Sequence, residues 1–157
     1  MKEKAMTGKA ALAAAFTAVG TFLGWKGVML LGWAAVMGLD YLTGTLAACK
    51  AGQWSSAVAR EGLWHKGGMI AVVLVAALGD WLMVLLGAYM PLGLQWPGLL
   101  LPMVTAWYIL TELGSVLENA VKMGARVPGW LVKLLKAGVT AIDGRAEETE
   151  SDQSAPQ

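Results

Sequence analysis

The stretch GGMIAVVLVAALGDWLMVLL, Gly67 to Leu86, is 20 residues long and carries one charge, Asp80. Nothing in its centre, Val72 to Leu78, alternates between apolar and polar, as a strand of a membrane barrel would over its roughly 10 residues. About 20 mainly apolar residues wound as an α-helix cross a hydrocarbon core of about 30 Å. Three other stretches repeat the pattern: Gly27–Cys49 is interrupted only by Asp40, and Trp96–Leu117 only by Glu112. Ala10–Trp25, between Lys9 and Lys26, is shorter and spans only if its flanking lysines snorkel or the bilayer thins. The fold class expected is all-α: a polytopic transmembrane helical bundle with three spans and a fourth over 10–25.

Composition agrees. Of the 157 residues 57% are hydrophobic without counting the 20 glycines, and 15% are charged. Soluble domains hold about 25% charged residues. A formal net charge of +1 gives no concentrated basic face for nucleic acid. One cysteine, Cys49, excludes an internal disulfide framework, and with one histidine, His65, leaves no basis for a multi-cysteine or histidine-rich metal site. No catalytic residue, metal or cofactor is expected, and the chain does not read as an enzyme.

Basic residues set the expected orientation. Lys50, Arg60 and Lys66 lie between the second and third apolar stretches, and Lys122, Arg126, Lys133 and Lys136 follow the fourth. The Gly87–Gln95 connection has no Lys or Arg. By the positive-inside rule the 50–66 segment, the C-terminus and, if the first stretch spans, the leader are cytoplasmic. The expected organisation is a basic leader over 1–9, a membrane domain over 10–120 with spans near 10–25, 27–49, 67–86 and 96–117, and a juxtamembrane helix over 121–142. Leu131, Leu134, Leu135, Val139 and Ile142 recur there at helical spacing, which suggests a helix lying in the headgroup plane, with a partner-binding or bundle-packing helix as the alternative. Residues 143–157 are acidic and polar and read as a disordered tail. Trp25, Trp64, Trp96 and Trp130 fall near span ends, whereas Trp33, Trp81 and Trp107 lie deeper and are expected between helices.

Three spans therefore carry one carboxylate each, with no basic residue read near their middles. A charge at the bilayer centre costs about 2.5–3.5 kcal/mol on insertion scales. An unpartnered carboxylate must take up a proton or turn to water, so it should face protein or a cavity. Its neighbours support such a face. Asp40, Thr43, Gly44 and Ala47 fall at i, i+3, i+4 and i+7, and Thr105, Tyr108, Glu112, Ser115 and Asn119 step by three and four. Ala76, Gly79, Asp80 and Met83 form a third stripe of this kind. These polar faces fit a packed bundle, a pore lining or self-association surface, or a proton relay in a small transporter or channel; no repeated halves point to the last.

The motifs narrow the choice. Asp40-Tyr41-Leu42-Thr43-Gly44 is followed by Lys50-Ala51-Gly52-Gln53-Trp54-Ser55-Ser56 and Gly62-Leu63-Trp64-His65-Lys66. Then come Trp107-Tyr108-Ile109-Leu110-Thr111-Glu112, Ser115-Val116-Leu117-Glu118-Asn119 and Gly124-Ala125-Arg126-Val127-Pro128. In order and spacing this resembles the bacteriophage holin family 4, the phage-lysis and toxin-secretion holins, over roughly Trp25 to Leu135. Thr111 stands where an Asn often precedes the Glu, and Arg126 falls in a stretch the family usually keeps apolar.

The resemblance implies a non-enzymatic protein of the bacterial cytoplasmic membrane that forms homo-oligomers in the lipid bilayer. It would open timed lesions that let a phage endolysin reach the cell wall, or a toxin leave. On that reading Asp40, Thr43, Gly44, Asp80, Glu112 and Ser115 are expected at the pore lining or helix-packing faces. Lys50, Glu118 and Asn119 are expected at the cytoplasmic rim. A small transporter or channel using the intramembrane carboxylates is the alternative.

Overall fold

A computed structural model describes residues 2–90 and 96–153, with side chains described for 21, 24–90 and 96–145. Four helices follow in order: α1 Lys2–Lys50, α2 Ser56–Tyr89, α3 Leu100–Lys122 and α4 Gly129–Gln153. No strand occurs among the described residues. Three segments are long and apolar enough to cross a membrane: Gly24–Lys50, Ser56–Tyr89 and Leu100–Lys122. The chain is a multi-pass helical membrane protein.

Local chemistry accounts for the helix ends. Gly24 has φ 66° and ψ −180°, so α1 is two helices joined at a non-helical residue; glycine adopts this left-handed φ without steric cost. The shorter expected span, 10–25, has helical backbone up to Gly24, and of its side chains only those of 21, 24 and 25 are among the described residues. At the far end of α1, Gly52 has φ +66°. Its N–H donates to Cys49 O at 3.1 Å, and Gln53 N–H donates to Ala48 O at 3.0 Å. This pair of bonds closes a helix on a left-handed glycine. Ser55 then starts α2, its Oγ accepting from Val58 N at 3.2 Å. Pro102 sits in the first turn of α3, where its missing N–H costs nothing.

α3 is the hub: α1, α2 and α4 all pack on it, while α1 and α2 barely touch each other. The apolar core is small. Trp33, Met69 and Val73 are buried, and Leu30, Met37, Leu101, Val104, Tyr108 and Ile109 pack around them. Trp33 stacks on Tyr108 with ring centroids 6.1 Å apart. By contrast Leu42, Leu46, Leu74, Val75, Leu78 and Leu82 point outward and exposed. In water such a continuous apolar coat would be an aggregation surface; in a bilayer it is the surface the lipid covers, the backbone groups of the helix interiors being satisfied within each helix.

The structure corrects two expectations and adds to a third. Trp81 is 59% exposed and faces outward with that coat instead of packing between helices. α4 packs on α3, the bundle-packing arrangement its apolar stripe also allows. It folds back antiparallel along α3, with Leu135 and Val139 beside Trp107, Leu110 and Leu117, and Ile142 beside Met103 and Val104. Gly138 makes this approach possible, since a Cβ there would lie 2.9 Å from Leu110 Cδ1. The acidic stretch from Asp143 is helical through Gln153 instead of irregular. It holds Glu147, Glu148 and Glu150, good helix formers, and it continues a helix already nucleated. The last residues of that expected tail, 154–157, lie outside the described residues.

Candidate functional site: two ionic clusters in the membrane bundle

Two polar clusters lie at different depths of the bundle, and each contains a lysine. In the first, the Lys66 ammonium donates to Asp40 Oδ2 at 2.6 Å and to Glu112 Oε2. Asn119 Nδ2 donates to Asp40 Oδ1 at 3.1 Å and reaches Thr43 Oγ1 at 3.4 Å. All three spans contribute: Asp40 and Thr43 from α1, Lys66 from α2, Glu112 and Asn119 from α3. Glu112 is 3% exposed and Lys66 8%. With a rise of about 1.5 Å per residue, Glu112 lies about 15–18 Å from either end of α3, close to mid-depth of a hydrocarbon core.

The second cluster closes the other end of the bundle. Asp80 of α2 accepts from Leu100 N at 2.9 Å and Leu101 N at 3.0 Å, the first backbone donors of α3. Leu99, at the N-cap of α3, offers no side-chain hydrogen bond, so Asp80 caps that helix from a different one. Trp96 Nε1 donates to Asp80 Oδ1 at 2.7 Å, which explains why this tryptophan sits at the span boundary. Lys26 Nζ donates to Gly98 O at 3.0 Å and lies 4.0 Å from Asp80 Oδ2.

Between the clusters lies the apolar layer of Trp33, Met69 and Val73. Its two fully enclosed polar atoms, Trp33 Nε1 and Thr105 Oγ1, have no hydrogen-bond partner among the described residues. No side-chain hydrogen bond of that layer therefore links one cluster to the other.

This geometry gathers Asp40, Thr43, Glu112 and Asn119 into one site and separates Asp80 from it. Gly44 borders the site, a Cβ there meeting Asn119 Nδ2 at 3.4 Å. Ser115 Oγ bonds its own helix at Thr111 O and joins neither cluster. Lys50 Nζ donates to Met123 O, tying the end of α1 to the end of α3. Glu118 is exposed beside the α3–α4 groove. Asn119, one turn from the end of α3, joins Asp40 and Thr43 from that side.

The carboxylates are not without cationic partners, contrary to the sequence reading. A charge-free window ends at its flanking charges, which sets Lys26 and Lys66 at span ends. Helical spacing held the missing signal. Lys66, Met69, Val73, Ala76 and Asp80 step by three and four along α2, as do Lys26, Leu30, Trp33, Met37 and Asp40 along α1. Each lysine thus shares a face with the core. Among the described residues no group of His, Cys, Asp and Glu is arranged to hold a metal ion.

The sequence profile described as the bacteriophage holin family matches residues 17–138, which include all three spans and both clusters. The chain belongs to the bacteriophage holin family. Relatives of this holin-family chain include an uncharacterized protein of Clostridium perfringens strain 13, 34% identical over 98 residues, covering 62% of this chain and 65% of the relative. An uncharacterized 14.9 kDa protein of Clostridium perfringens is 31% identical over 105 residues, covering 62% of this chain and 67% of the relative. An uncharacterized protein of Listeria monocytogenes is 30% identical over 111 residues, covering 71% and 69%. The match thus spans about two thirds of these relatives' own lengths. No solved structure matches the chain significantly.

Proposed function

We propose that this holin-family protein accumulates in the bacterial cytoplasmic membrane, oligomerises, and opens lesions at a set time through which an endolysin or a toxin passes. The observation that carries the reading, beside the family, is the mid-depth cluster of Lys66, Asp40 and Glu112. Its charges are satisfied inside one copy, so a bilayer tolerates the resting protein. Buried ion pairs of this kind contribute little net stability, because desolvation offsets their attraction. The pairs can therefore be exchanged for water or for pairs between copies at low cost, and Asp40, Glu112, Thr43 and Gly44 then line the opening. Asp80 keeps α3 capped while this happens, with Lys50 at the cytoplasmic end and both termini inside.

Membrane potential acts on the same cluster. Moving one charge through the full field is worth about 2.3 kcal/mol per 100 mV, so a charge of the cluster that shifts depth as the bundle rearranges couples it to the potential. Collapse of the potential removes a bias of that size.

Inducing the full chain in a bacterium that also carries a cytoplasmic reporter enzyme and an endolysin tests the proposal. Abrupt reporter release after a fixed delay is expected. Graded, solute-specific flux without release would replace it with the transporter or channel reading, and neither outcome would leave a structural subunit of a membrane complex.

A further inference from the structure

Because α1 and α2 scarcely touch, a cleft of about 380 Å³ opens between them, beginning at the 51–55 connection. Its walls include Asp40, Tyr41 and Thr45 from α1 and Glu61, His65 and Lys66 from α2. Trp54 and Val58 stand at its mouth. From Ser56 to Lys66 the helix rises about 15 Å, so the cleft runs from one end of the bundle to mid-depth.

The face of α2 changes character at the floor of this cleft. Val58, Glu61, Gly62, His65 and Lys66 share the side that lines it, and the same side continues as Met69, Val73 and Ala76. Beyond Lys66 the walls close on Trp33, Met69 and Val73, which are buried. Acyl chains fit poorly against Glu61, His65 and Asp40, whereas water solvates them. Among the lining residues the carboxylates of Asp40 and Glu61 outnumber the one ammonium of Lys66, so the wall favours cations.

We infer that the α1–α2 cleft of the resting protein is a one-ended aqueous vestibule, admitting water and small hydrophilic cations from the 51–55 end as far as Lys66. It deepens the proposed function by fixing which side of the membrane reaches the ion cluster before any lesion exists, and it rests on the membrane-spanning reading. Asp40 and Lys66 meet water and counter-ions from one compartment only. The apolar layer bars the other.

Thiol labelling of the full chain in right-side-out and inverted membrane vesicles tests this. Cys49, at the exposed end of α1, reports in the unaltered chain which face carries the 51–55 connection. In a Cys49→Ser background, Ala59→Cys and Gly62→Cys should react with membrane-impermeant methanethiosulfonates only in the vesicles where Cys49 reacts. A Cβ at position 62 makes only an ordinary 3.5 Å contact with Tyr41, so the variant is accommodated. Val73→Cys in the apolar layer and Val75→Cys on the outward coat should react in neither. The trimethylammonium reagent should label Gly62→Cys about tenfold faster than the sulfonate reagent, the low end of electrostatic focusing in a cleft, and Glu61→Gln should shrink that ratio. Silence at Gly62→Cys while Ala59→Cys reacts, labelling of Gly62→Cys from both sides, or a preference for the anionic reagent overturns the vestibule. Reaction at Val75→Cys overturns the membrane-spanning reading itself. The labelling is done on the resting protein, so a failure to form lesions overturns the proposed function and leaves the vestibule standing.

Discussion

Lys66 Nζ lies 2.6 Å from Asp40 Oδ2, an ion pair between two helices that otherwise hardly meet. Its second partner, Glu112, comes from the hub helix, so a single ammonium joins all three spans. Removing one member of a buried ionic group typically costs about 3–5 kcal/mol, because the others are left uncompensated.

Lys66→Met is therefore expected to lower the yield of folded protein in the membrane and its thermal midpoint in detergent sharply. The triple variant Lys66→Met, Asp40→Asn, Glu112→Gln should recover most of the loss, since no charge then stays unpaired. A triple variant as unstable as Lys66→Met would show that packing, not charge, sets the effect.

Asp80→Ala removes the acceptors for two backbone donors of α3 and for Trp96. A lost cap costs about 0.5–2 kcal/mol, and buried donors left unpaired add about 1–3 kcal/mol. Faster hydrogen exchange at the Leu100 and Leu101 amides, with Glu112-region amides unchanged, is the expected local signature. Uniform exchange along α3 would count against a capping role.

Gly138→Val should push α4 off α3, because the first added carbon already comes within 2.9 Å of Leu110 Cδ1 and valine adds two methyls beyond it. Trypsin applied to membranes should then cut after Lys133 and Lys136 several-fold faster than in the unaltered chain, with α1 to α3 intact. Equal cleavage would mean that α4 is not held on α3 in the bilayer.

Glu112→Gln and Asp40→Asn test the proposed opening directly. Each keeps the side-chain shape but leaves Lys66 with one carboxylate. A shift in the onset of reporter release by a large fraction of the normal delay is expected. An unchanged onset in both would remove the mid-depth cluster from the timing.

Much of this fold is plain from the order of residues. Gly67–Leu86 has no reading other than a buried or lipid-facing helix, and the three- and four-residue steps around Asp40 and Glu112 point those carboxylates inward. Helix extent was harder to read. A hydropathy window stops at Lys66, yet Ser55 caps a helix that begins at Ser56, so a lysine expected in headgroups becomes a mid-depth partner. The α3–α4 contact was hidden for a related reason. An apolar stripe on a helix does not name what covers it, and only Gly138 hinted at a close neighbour.

The 34 residues of α2 would stretch to about 51 Å, well beyond a hydrocarbon slab of about 30 Å. Such a rod must lean or protrude, and α3, with 23 residues, is under no such demand. Their mismatch makes the bundle a gauge of lipid thickness. A thinner bilayer favours a greater lean of α2 relative to its shorter neighbour, so the fatty-acid chain length of the surrounding lipid becomes a variable that sets how far the helices splay.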